Sequence, residues 1–300
     1  MAKRIIRKIL VPLDGSKTAE SVLPYIKYLA KRFGSEVEVL GAGIGRKSRR
    51  VNRLLEDYIE SAASDLRNEK VEATPVIVYG SAADKILSYS KQNDIDLIVM
   101  ATHGRSGVTR WWIGSVAEKI VSQAITPVLL IPGKKQKAAK AKKEGASISK
   151  ILVPLDGSDT GQAALDYVEL VARETNASVH LIQVISPPGA METSVFGNAE
   201  WDSFFKAMQD AANDYLGSII DSLKAKGITA KYDIVVGNPA HEIIKSAEKG
   251  KIDLIAMSTH GRTGIVRWVI GSVADKVLHG TRRPMWLVRP PKTNIMKSKN

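Results

Sequence analysis

Nine residues recur unchanged in this chain. Lys8–Ser16 reads KILVPLDGS, and Lys150–Ser158 repeats it 142 residues later. Thr102–Lys119 returns as Thr259–Lys276, with 13 of 18 positions identical at an offset of 157. Two copies of one pattern carry the same apolar periodicity and the same turn residues, so the expected product is one fold made twice. The 300-residue length also suits two domains. The two offsets differ by 15, which places a 15-residue insertion between the second and third strands of the second copy, around Ser186–Glu200, where Pro187, Pro188 and Gly189 cluster.

Each copy reads as alternating strand and helix. Ile9–Leu13 is a continuous apolar run, as for a strand covered on both faces. Helical periodicity follows over Thr18–Phe33 and stops at Gly34, with Pro24 marking a bend or a late start. Then come a strand at VEVL (37–40), an amphipathic helix around Arg53–Glu69 and a strand near Ala73–Tyr79. Ser81 is placed to cap a helix over Ala82–Lys91, and Asp96–Ala101 reads as another buried strand. A glycine-containing loop leads into a helix from Gly114 to about Ala124, and Thr126–Ile131 closes the unit, as Pro284–Val288 closes the second. Five strands alternating with four helices predict a doubly wound α/β domain with a largely parallel sheet, made twice. Residues 133–149 have no apolar periodicity and read as a basic, flexible linker, giving domains over 1–132 and 150–291 and a basic tail over 292–300.

The net charge of +13 first suggests nucleic acid. The N-terminal segment, residues 133–150 and residues 289–300 together hold +14, leaving the rest at −1. Basic residues in tails and a tether serve solubility and self-repulsion, so no specific nucleic-acid partner is expected. No apolar run approaches the ~20 residues of a membrane span, and Ile9–Leu13 ends at Asp14, too short for a signal peptide. The absence of cysteine excludes disulfides, thiol catalysis and zinc ribbons. A soluble, cytoplasmic protein is the expectation.

In open parallel sheets ligands bind beyond the carboxyl ends of the strands, where the winding reverses. There the chain places Asp14-Gly15-Ser16 and Asp156-Gly157-Ser158, and after the fourth strand Ala101-Thr-His-Gly-Arg-Ser-Gly107 and Ser258-Thr-His-Gly-Arg-Thr-Gly264. Gly114-Ser115 and Gly271-Ser272 then open a helix, whose unpaired amides and dipole favour phosphate or another anion. Asp14 and Asp156 read either as turn residues or as acceptors for ribose hydroxyls or a base amine. His103 and His260 read as loop histidines bonded to backbone, or as general acid/base or phosphate contacts. Arg105 and Arg262 would pair with phosphate or be solvated. Trp111, Trp112 and Trp268 suit core or interface packing better than base stacking. His180, His241 and His279 have no ligand spacing. A carboxylate cluster, a helical HExxH and a Gly-Lys-Ser/Thr phosphate loop are all lacking, which argues against a hydrolase.

The run from VPLDGS through MATHGRSGVTRWWIGSVAEK to PVLLIP resembles a universal stress protein domain of the UspA type, and the resemblance covers both halves. It implies two tandem Rossmann-like domains of the adenine nucleotide alpha hydrolase-like kind, each with a five-stranded parallel sheet. ATP-binding members carry Gly, two residues, Gly, nine residues, then Gly-Ser or Gly-Thr. This chain has Ala101, Gly104 and Gly114-Ser115, and again Ser258, Gly261 and Gly271-Ser272, with the spacing kept and the first glycine replaced twice. A positive φ there would cost Ala or Ser of order 1 kcal/mol, whereas a mere close approach would tolerate them. By the same resemblance, adenine and ribose lie against Pro12, Leu13, Asp14 and Ala42, and against Pro154, Leu155, Asp156 and Val184. Met100 and Met257 line the same sites. The phosphates meet the amides around His103, Gly104, Gly114, Ser115 and Val116, and those around His260, Gly261, Gly271, Ser272 and Val273, with Ala101 and Ser258 also counted in the nucleotide sites. The insertion borders the adenine site of the second copy, as a lid would. ATP with Mg2+ is the expected ligand.

The implied function is a nucleotide-binding regulator of a stress response, not an enzyme, with at most slow hydrolysis. An adenylating enzyme or a class I synthetase would need SGGxDS, or HxGH with a KMSKS-like loop, and has neither here. The competing reading is a nucleotide-independent assembly module of the same fold. Single-domain members of the resembling family dimerise through their last strands, which implies a pseudo-dimer within this chain through Pro127–Ile131 and Pro284–Val288. That leaves room for a homodimer and for a protein partner the sequence does not name.

Overall fold

A computed structural model of the chain describes residues 6–43, 49–102, 113–133, 146–187, 198–260 and 270–291, with Arg49 and residues 198–202 as backbone only. His103, Gly104, Arg105, Trp111, Trp112, Gly261, Arg262 and Trp268, most of the linker and most of the inserted segment lie outside these residues.

The first repeat runs β1 (Lys8–Leu13), α1 (Leu23–Phe33), β2 (Glu36–Gly43), α2 (Arg49–Asn68), β3 (Ala73–Tyr79), α3 (Ala82–Gln92), β4 (Leu97–Ala101), α4 (Ser115–Gln123) and β5 (Val128–Ile131). The second runs β6 (Lys150–Leu155), α5 (Leu165–Thr175), β7 (Ser178–Ile185), α6 (Asn198–Ala225), β8 (Ala230–Val236), α7 (Pro239–Lys249), β9 (Leu254–Ser258), α8 (Ser272–Gly280) and β10 (Met285–Val288). The expected alternation is present in both. Ile9, Leu10 and Val11 are fully buried, as a strand with helices on both faces requires.

Local chemistry explains the element ends. A single 3-10 turn at Ala19–Val22 precedes α1, and Pro24 falls in its first turn, where a missing N–H has no intrahelical partner to lose. The proline thus marks a late start. Gly34 ends α1 at φ +67, and the second repeat uses Asn176 at φ +56, asparagine being one of the few residues that tolerate that region. α2 has 20 residues and α6 has 28, so part of the insertion is spent as extra helix.

The chain forms two compact units, and these are not the two repeats, because residues 282–289 belong to the first unit. In that unit the strands lie in the order β3-β2-β1-β4-β5, all parallel. β10 adds to β5 antiparallel, with Trp286 opposite Leu129. In the second unit β8-β7-β6-β9 are parallel. Ile148, at the end of the segment read as linker, is buried like its counterpart Ile6, and Ser149 donates from N–H and hydroxyl to Asp253.

A proline ends one ladder of each sheet at its switch point. The Arg7 carbonyl accepts from Glu36 of β2 and the Lys8 carbonyl from Asp96 at the foot of β4. Alternate residues of a parallel strand face alternate neighbours, so residues 8, 10 and 12 face β4. Pro12 therefore lacks its N–H on that side, and the β1–β4 ladder stops at Leu10↔Ile98 while β1–β2 continues to Leu13↔Gly41. Pro154 does the same, with β6–β9 ending at Leu152↔Ile255. At the opposite, amino end the strands are stapled: Asp96 accepts from the amides of Arg7 and Lys8, and Asp253 from those of Ser149 and Lys150.

Candidate functional site

The crevice in each unit starts where that ladder ends. Beyond Leu13 the Asp14 carboxylate accepts from the Ser16 amide at 3.0 Å, and the Ser16 hydroxyl accepts from the Ala19 amide at 3.1 Å. Beyond Leu155, Asp156 accepts from both the amide and the hydroxyl of Ser158, at 3.1 and 2.6 Å. Gly15 and Gly157, at φ +81 and +83, supply the left-handed residue between each pair. Both aspartates thus serve the turn, one of the two roles open to them from sequence. Each carboxylate oxygen can accept further bonds, so that role does not use up the group.

The opposite wall is the end of the fourth strand and the helix after it. The Gly114 amide donates to the Thr102 carbonyl at 2.8 Å, and the Gly271 amide to that of Thr259 at 2.7 Å. These bonds pin the N-cap residue of each helix beside the end of its strand, although a dozen positions separate them in sequence. A Cβ on Gly271 would stand 3.1 Å from the Thr259 carbonyl oxygen, a contact tight enough to favour glycine. With glycine as N-cap, no side chain caps either helix. Ser115 and Ser272 are exposed and Val116 and Val273 half-buried in the first turn, whose amides have no intrahelical acceptor.

Ala101 and Ser258, the residues in place of the first motif glycine, close their strands at 7% and 6% exposure, and neither has a positive φ. The strain that would penalise a side chain there does not arise. The Ser258 hydroxyl donates to the His260 carbonyl at 2.8 Å and accepts from its amide at 3.3 Å. His260 is 9% exposed, with Nδ1 2.9 Å from the Thr259 hydroxyl, so its ring belongs to the loop. Of the remaining predicted site residues, Leu13, Leu155, Met100, Met257 and Pro154 are buried, and Pro12, Ala42 and Val184 half-buried. Pro12 and Pro154 do more than line the site: they end the ladder that would otherwise close it. A proline inside a central apolar strand was the signal for this in sequence. Among the described residues no helix is long and apolar enough to cross a membrane.

The universal stress protein family model matches residues 6–132 and 147–289. Universal stress protein MJ0531 of Methanocaldococcus jannaschii is 32% identical over 143 residues, 48% of this chain and 83% of that protein. Universal stress protein Slr1230 of Synechocystis is 23% identical over 318 residues, covering 95% of this chain and 100% of its own. Among solved structures, a universal stress protein from Pseudomonas aeruginosa covers 99% of this chain and 98% of its own, with a TM-score of 0.71 at 18% identity, a likeness of fold. A family model matched twice, over nearly all of the described residues, leaves one assignment: the chain belongs to the universal stress protein family, as a tandem of two such domains.

Proposed function

We propose that the chain is an ATP-binding regulatory protein whose two crevices, one per repeat, report nucleotide through occupancy. The observation that carries this is the pairing, in both repeats, of a ladder cut short by a proline with a helix N-terminus, uncapped by any side chain, held at the same edge. Triphosphate suits such a helix start, since its amides and dipole favour anions. The ribose hydroxyls would donate to Asp14 and Asp156, and Mg2+ would arrive with the phosphates and neutralise their charge. The role is recognition, with at most slow hydrolysis. The two repeats act as a pseudo-dimer within one polypeptide, joined through β5 and β10, in the cytoplasm.

Calorimetric titration of nucleotide-stripped protein with Mg-ATP, beside Asp14→Ala and Asp156→Ala, tests this. A stoichiometry near two that falls to about one in each variant is expected. The surviving site in each variant doubles as its folding control. No saturable heat at millimolar ATP would overturn the reading in favour of the nucleotide-independent assembly module.

A further inference from the structure

The repeats carry opposite charge at the amino ends of their strands, the edge remote from the crevices. In the second unit a cavity of about 650 Å³ opens there, lined by Lys150, Lys231, Lys249 and Lys251 around His180 and Asp233. That volume falls in the roughly 300–1,000 Å³ range of small-molecule sites. His180 lies in register between Leu152 of β6 and Lys231 of β8, 9% exposed, with Nε2 2.6 Å from Asp233 Oδ2. Burial and the neighbouring Lys231 hold its pKa below the usual histidine value and outweigh the aspartate. The ring is therefore neutral at pH 7 and donates its Nε2 proton to Asp233. Four lysines against one aspartate leave the cavity at +3. Among the described residues no ion pair joins any of the four lysines.

The first repeat shows what this edge holds otherwise. Lys8 stands in the position of Lys150, with Glu38 for His180, Thr74 for Lys231 and Asp94 for Lys251. Lys8 there has a carboxylate partner, Glu38, at 3.6 Å. With Glu36 and Glu72 at the positions of Ser178 and Thr229, that edge nets −3. Tyr89, close enough to the Glu38 carboxylate to feel its charge, occupies the position of Ser246. Four replacements thus act together in the second repeat: tyrosine to serine vacates space, glutamate to histidine strips Lys150 of its partner, and Lys231 and Lys251, in place of threonine and aspartate, supply half of the charge reversal. Lys249, in the last turn of α7, has an ordinary reason to be there, since a cation complements a helix C-terminus. That reason does not extend to Lys150 and Lys231 on β6 and β8.

We propose that this cavity is a second binding site, distinct from the nucleotide crevice, for a small polyanion carrying two or more phosphate or carboxylate groups. The lining holds no Phe, Tyr or Trp, and its one ring, His180, is buried and held to Asp233, so recognition by charge in a confined volume favours a small ligand over a nucleic-acid strand.

The test is titration of the full chain with tripolyphosphate, with residues of the first repeat grafted into the second. One variant combines Ser246→Tyr and His180→Glu, refilling the cavity. The other combines Lys231→Thr and Lys251→Asp, and the aspartate suits the backbone because Asp94 and Lys251 share φ near +50 (+52 and +50). Saturable binding that weakens by at least about tenfold in both grafts is expected, since charge-assisted contacts are lost in each. Bound tripolyphosphate should also protect Lys231 and Lys251 from amine acetylation, read by mass spectrometry. An isotherm that both grafts leave unchanged, or no saturation at millimolar tripolyphosphate, overturns the proposal. So does a duplex oligonucleotide that competes with equal affinity and loses it in the same grafts, which would make the edge a nucleic-acid surface.

Discussion

The phenol of Tyr89 is pushed from 10.0 up to about 12, by burial first and then by the Glu38 carboxylate beside it. Its folded-state pKa is raised, so the neutral form is favoured by folding. That stabilisation is complete below pH 10 and drains away as pH climbs through about 12. Tyr89→Phe removes it, so the urea midpoint of the variant should fall less steeply than the parent's across that window. Parallel midpoint profiles for parent and variant would rule the coupling out. Neither this cluster nor His180 with Asp233 was legible in the sequence, because the first needs α3 packed against β2 and the second the register of β7 and β8. His180 and Asp233 lie 53 positions apart and meet only because β7 and β8 are neighbours. Asp14-Gly15-Ser16, by contrast, was legible because its bonds run between residues two and three apart.

At the scale of elements, the crevice is made by what two strands fail to do and by where one helix begins. The alternation of strands and helices was legible because apolar runs, glycines and prolines punctuate it locally. The early end of the β1–β4 ladder was not legible, since it depends on which neighbour Pro12 faces, and that needs the register. Gly271→Ala probes the helix start cleanly. Its φ of −60 suits alanine, so backbone strain is not at issue, and only the 3.1 Å contact with the Thr259 carbonyl is. That carbonyl also accepts the Gly271 amide, so it cannot retreat without weakening the bond. A stability loss on the order of 1 kcal/mol is expected in thermal unfolding, as for other overpacked sites. On the nucleotide reading, ATP affinity should fall at the second site and hold at the first. Affinity unchanged at both would mean that the helix start does not contact phosphate.

At the scale of the molecule, repeat and folded unit are different things. Duplication was plain from 142- and 157-residue offsets, because identical residues need no structure to be seen. That the last strand of the second copy counts with the first unit was not legible from periodicity, since β10 has only four residues and reads like any buried strand. Two contacts hold it there. β10 pairs with β5 over Met285↔Leu130, Trp286↔Leu129 and Leu287↔Val128, and just beyond it the Arg289 guanidinium donates to the Ser122 carbonyl. A strand so engaged binds the first repeat by its own contacts, whether or not the segment between the repeats is intact. Proteolytic cleavage confined to residues 134–145 should therefore leave the two halves together. On a sizing column at micromolar concentration they should elute as one species of uncut size. Deleting residues 282–291 before the cut should release them, because the edge of β5 then has no strand from the other half. Cleaved halves that separate with β10 present would show that the linker, not the exchanged strand, keeps the repeats together.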